Sequence, residues 1–117
     1  MSAESSAVAR GQQAEDRALA YLQQQGLILL ERNYRCRHGE IDLIMQERQL
    51  LVFVEVRSRR SAAFGGAAAS VGLAKQRRLW HTAEHYLMRH ARPPACRFDL
   101  VAIDAGVLRW SRDVLCR

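Results

Sequence analysis

The apolar positions of this chain change period several times, and each change marks an element. Ala7, Gly11, Ala14, Ala18, Tyr21 and Leu22 recur at three- and four-residue steps, which predicts a first helix over 5–25 with Gly26 as its stop. Strand-like segments follow. Leu27 to Arg35 is the first. In Glu40 to Met45, Glu40, Asp42 and Ile44 alternate with Ile41, Leu43 and Met45; in Leu51 to Ser58, Phe53, Glu55 and Arg57 alternate with Val52, Val54 and Val56. Only Gln46 to Gln49 separates these two, so they should form a hairpin. A second helix is predicted over Val71 to His90, with Leu79, Ala83, Tyr86, Leu87 and His90 on one stripe and Pro93 and Pro94 ending it. Strands near Arg97 to Asp104 and Val107 to Asp113 close the chain, turning at Ala105 and Gly106. Helix, three strands, helix, two strands predicts an α/β layered domain with a mixed sheet.

At 117 residues the whole chain, 1–117, is expected to be one domain on one core. With 49% apolar and 26% charged residues it has globular composition. No wholly apolar run exceeds that of Leu50 to Val54, far short of the roughly 20 residues a bilayer needs, and no signal peptide is visible, so no membrane role is expected. Cys36, Cys96 and Cys116 are too scattered for a self-contained disulfide framework or a CxxC zinc pair, and read as reduced thiols of a cytoplasmic protein.

Charge changes this picture. Eighteen basic and twelve acidic residues give +6, and the excess sits in the second half. Val56 to Ala83 contains no acid but holds Arg57, Arg59, Arg60, Lys75, Arg77 and Arg78, the footprint of a polyanion partner. Ser58 to Ser70, small, basic and glycine-containing, reads as a mobile loop. Lys75 and Arg78 lie one turn apart at the start of the second helix, suited to gripping phosphates.

Asp42 and Glu55 need a reason to be where they are, since each interrupts an apolar strand. If Gln46 meets Gln49 across the turn, Asp42 faces Phe53 and Glu40 faces Glu55; any pairing of that parity sets Glu40, Asp42, Glu55 and Arg57 on one side of the sheet. Crowded carboxylates repel unless a cation lies between them. A hard divalent ion, Mg²⁺ or Mn²⁺, completed by water and a substrate phosphate, answers that need. Glu15 borders the buried stripe of the first helix and could add a further carboxylate. His81 and His85 have the i, i+4 spacing of metal ligands, but with no third ligand nearby in sequence they read as surface histidines. Asp99 beside Arg97 reads as an ion pair or edge hydrogen bond.

Gly39-Glu40-Ile41-Asp42-Leu43-Ile44 followed by Phe53-Val54-Glu55-Val56-Arg57 resembles the core of PD-(D/E)XK nucleases. Together with Gly11 and Glu15, Asn33-Tyr34-Arg35, Phe64-Gly65, Lys75-Gln76-Arg77-Arg78 and Arg97-Phe98-Asp99, it resembles the YraN-type family of small bacterial proteins, described as predicted endonucleases similar to archaeal Holliday-junction resolvases. The resemblance implies a restriction-endonuclease-like, three-layer fold with a mixed central sheet flanked by helices. It implies that Asp42, Glu55 and Glu15 hold the metal and that Arg57 takes the place of the motif's lysine. Arg57 stays protonated, so it cannot be a general base, but it can stabilise charge on phosphate. The implied protein is a Mg²⁺- or Mn²⁺-dependent endonuclease acting on DNA, including branched DNA, with Arg59, Arg60, Lys75, Gln76, Arg77 and Arg78 on the nucleic acid. The alternative is a nucleic-acid-binding module or DNA-processing adaptor that cleaves nothing. Monomer and homodimer are both open at this level.

Overall fold

The computed structural model describes residues 3–59 and 72–115. In chain order they form α1 (Ala3–Gln24), β1 (Ile28–Cys36), β2 (Gly39–Glu47), β3 (Leu50–Arg59), α2 (Leu73–Leu87), β4 (Cys96–Asp104) and β5 (Val107–Ser111). The five strands make one sheet in the order β1-β2-β3-β4-β5, antiparallel except for the β3–β4 pair. Parallel neighbours cannot be joined by a tight turn, and here α2 lies within the connection. The result is the expected mixed α/β layered domain.

Alternation along β3 divides the core in two. Val52 and Val54 join Ala14, Ala18 and Leu22 of α1, while Phe53 joins Leu79, Ala83 and Tyr86 of α2. Ala14, Ala18 and Leu22 recur every fourth residue, which lets α1 lie flat on the sheet.

Four expectations shift. The β2–β3 turn is the two-residue Arg48-Gln49, with Glu47 opposite Leu50. Arg48 has φ 56°, which a tight hairpin turn demands. The pairing parity is the expected one, but the position opposite Asp42 moves from Phe53 to Glu55. The ladder between the strands ends at Leu43–Val54, and the Val56 N–H donates instead to Asp42 Oδ2 at 2.8 Å. Second, Ile41 and Leu43 enter opposite cores although they are two residues apart. Alternation breaks beside Asn33, whose φ of 56° is left-handed. Glu40 therefore pairs with Arg35 at 3.3 Å rather than lining up with Asp42. Third, α2 stops at Leu87, short of His90, with Met88 as its cap. Fourth, β5 ends at Ser111, because the chain then turns along β4. Asp113 N–H donates to the Asp99 carboxylate at 3.0 Å and Val114 N–H to the Phe98 carbonyl at 2.8 Å.

Asp99 is wholly buried and holds this edge together. It accepts from Arg97 Nε and Nη2 at 2.9 and 3.1 Å, from Trp110 Nε1 at 2.9 Å and from Asp113. Its role is the ion pair expected from the sequence, with two further donors.

Candidate active site

Two strands and one helix build the site. Glu55 lies on β3 facing α2, Asp42 projects from the splayed end of β2, and Lys75 comes from the first turn of α2. Glu55 is 5% exposed. Its Oε1 lies 3.5 Å from Arg57 Nη2 and 3.8 Å from Lys75 Nζ, while Oε2 is buried with no hydrogen-bond partner. Arg57 Nε is likewise buried and unpartnered. Both cations stand too far for strong hydrogen bonds to the carboxylate, which leaves their donors available to another anion.

The electrostatics follow from this packing. Burial pushes Glu55 up from 4.5 to about 8; the neighbouring Asp42 pushes the same way, while Arg57 and Lys75 pull less strongly down. At neutral pH the pair keeps a proton to relieve its repulsion. A divalent cation would relieve it equally well. Two carboxylates, one with a bare buried oxygen, fit the small oxygen-ligand set of Mg²⁺, which retains several waters.

A cavity of about 270 Å³ opens beside Glu55, walled by Gln76, Leu79, Phe98, Leu100 and Leu115. Arg77 and Arg78 are exposed on α2, and Arg59 is exposed at the end of β3. Arg60 and the loop expected at about 58–70 lie, from residue 60 onward, outside the described residues.

Glu15 has a different neighbour. Its Oε1 accepts from Arg32 Nε at 2.9 Å, and Arg32 also binds Asp16, so β1 anchors this helix flank. Both carboxylates hold the Arg32 pKa above its ordinary value. Among the described residues, no three carboxylate, imidazole or thiol groups converge on one ion, so Glu15 does not join Asp42 and Glu55 here. Arg32 is a residue the sequence reading overlooked; an arginine on an edge strand carries no local signal of its partner.

Lys75, expected on the sequence to face phosphates, stands beside the buried carboxylate of Glu55 instead. It is the single lysine of the chain, among seventeen arginines, and it lies beside Glu55. That singularity was the available signal.

No described helix is long and apolar enough to cross a membrane. The profile of the uncharacterised protein family UPF0102 matches residues 14–103. A UPF0102 protein of Janthinobacterium sp. (strain Marseille) is 58% identical over 105 residues, covering 90% of this chain and 85% of its own length. One from Cupriavidus metallidurans is 59% identical over 110 residues (93% and 82%), and one from Ralstonia nicotianae 59% over 112 residues (92% and 86%). Matched over most of its length both by the family profile and by these relatives, and carrying the Asp42–Glu55 pair within the matched region, the chain belongs to UPF0102, the YraN-type family that its motifs resemble.

Proposed function

We propose that this protein is a divalent-metal-dependent endonuclease that hydrolyses DNA phosphodiester bonds. The observation that carries the reading is the buried Glu55 beside the half-buried Asp42, with a bare carboxylate oxygen on Glu55 and two flanking cations. Asp42 and Glu55 would hold Mg²⁺ or Mn²⁺, which when bound supplies an activated water and charge neutralisation at phosphorus. The chain's own groups do the rest. Arg57 presents guanidinium donors to the phosphate and stabilises charge that grows as the phosphodiester is attacked. Lys75 places an ammonium on the same side. Asp42, held by the Val56 N–H, keeps its carboxylate fixed as Glu55 changes protonation. Arg59, Arg77 and Arg78 lie exposed where the backbone of a DNA strand can run across them.

The test is a cleavage screen over single-stranded, duplex and four-way DNA with Mg²⁺ and Mn²⁺. Metal-dependent cleavage by the wild type, lost in Asp42→Asn and Glu55→Gln, is the expected result. One observation favours a second reading: arginine stands at the motif's lysine position. DNA binding without cleavage under any ion, unchanged by Glu55→Gln, would establish a binding module instead.

A further inference from the structure

We propose that the nucleic-acid surface extends beyond Lys75 onto the β1–β2 turn, where Arg37 and His38 join Arg78 and His81 of α2 in holding the phosphate backbone next to the cleavage point. The inference deepens the nuclease reading and rests on it for the identity of the partner. The turn is basic by composition. From Arg32 to Gly39 there is no acid, and Arg35, Arg37 and His38 follow in close order.

Packing lays this turn on α2. Gly39, at φ +146°, sits so close to the helix that a Cβ there would stand 3.3 Å from Thr82 Oγ1 and 3.9 Å from Arg78 Cβ. The centre of the His38 ring lies 5.5 Å from that of His81. Lys75, Arg78 and His81 recur every third residue along α2, so each side chain neighbours the next. That row begins at the carboxylate pair, where Lys75 Nζ lies 3.8 Å from Glu55, and leads to the turn. It stops where the acid-free segment stops, at Glu84, whose carboxylate is 4.0 Å from His81 Nδ1. From Lys75 to His81 the helix rises about 9 Å, which matches about three nucleotides of one strand.

The donors along this row suit phosphate. Arg35 is held by Glu40 at 3.3 Å. Arg37 and Arg78 are exposed, and among the described residues neither forms an ion pair with a carboxylate. Arg37 Nε donates to His38 Nε2 at 3.4 Å, which leaves the two terminal amino groups for a two-pronged grip on a phosphate. With Nε2 accepting, His38 carries its proton on Nδ1 and offers that N–H to a phosphate oxygen. Like charges drawn from two distant segments to one edge repel in the free protein, and a polyanion laid across them relieves that repulsion.

The test is binding of the full-length protein to a fluorescent DNA duplex, followed by anisotropy over a range of salt without divalent ions, so that the result does not depend on cleavage. Arg37→Gln should flatten the dependence of log affinity on log salt by about one unit. Arg48→Gln removes the same charge from the β2–β3 turn, roughly 25 Å away at the other end of β2, and should leave the slope unchanged. His38→Ala should weaken binding about two- to tenfold, as loss of one hydrogen bond does. Far-UV circular dichroism should show all three variants folded. An unchanged slope in Arg37→Gln while Lys75→Ala/Arg78→Ala flattens it would overturn the extension and leave the nuclease reading standing. Equal flattening by Arg37→Gln and Arg48→Gln would reduce the effect to net charge and overturn it too. A wild type that binds no DNA would overturn both.

Discussion

Replacing Glu55 with Gln should make the protein more stable in alkaline solution. Glu55 has a pKa of about 8 in the folded protein, against 4.5 when unperturbed, because burial and Asp42 disfavour its charge. Between those values the folded state binds a proton that the unfolded chain has released, so stability falls as pH rises. The contribution is complete below 4.5 and lost once pH passes about 8. Inside that window each pH unit costs about 1.4 kcal/mol, and the whole excursion comes to about 5 kcal/mol at most. A small domain has roughly 5–15 kcal/mol in total, so the effect should be plain. Gln matches Glu in shape but has no proton to lose. Urea unfolding between pH 5 and 9, without divalent ions, should show wild-type stability declining and the variant's holding, with the variant ahead at pH 9. Adding Mg²⁺ at pH 8 should raise the wild-type midpoint and leave the variant unmoved. Parallel pH profiles for the two proteins would refute the assignment of a buried, proton-holding Glu55.

Asp99→Ala should lower stability by about 3–5 kcal/mol, since it takes from Arg97 its buried partner, leaving that guanidinium only Glu47, and removes the anchor of the C-terminal segment; thermal unfolding would show it as a marked drop in Tm. Gly39→Ala should cost about 1–3 kcal/mol by straining a left-handed backbone against Thr82, measurable by chemical denaturation. Lys75→Ala/Arg78→Ala should flatten the dependence of log affinity on log salt by roughly one to two units on duplex DNA. It should weaken all sequences alike, because phosphate contacts carry no base information. Circular dichroism should confirm that this double variant stays folded, because neither side chain lies in the core formed by Leu79, Ala83 and Tyr86.

The order of elements, the faces of β3 and the adjacency of β2 to β3 could be read from the chain, because they rest on local regularities; the register that sets Glu55 rather than Phe53 opposite Asp42 could not. A period of two assigns Phe53 and Glu55 to one side of a strand whatever else the protein does. The few residues between β2 and β3 make the two strands neighbours in the sheet. The carboxylates were conspicuous for the same reason: a charge in an apolar strand is costly and invites an explanation.

Other features depend on contacts between segments distant in sequence, about which periodicity says nothing. Glu15 could face the sheet or a basic neighbour; only the packing of α1 against β1 gives it to Arg32. The left-handed Asn33 breaks alternation in a strand that otherwise looks regular, and so removes Glu40 from the group around Asp42. Lys75 reaches Glu55 because β3 and β4 pair in parallel and the connection carries α2 across that face. By the same packing His38 meets His81 and His85, a neighbour that the spacing of those two histidines gives no hint of. Strand and helix identity come from neighbours a few residues apart, whereas the composition of a site depends on which distant segments the core brings together, and here that was settled by how α1 and α2 cover opposite faces of the sheet.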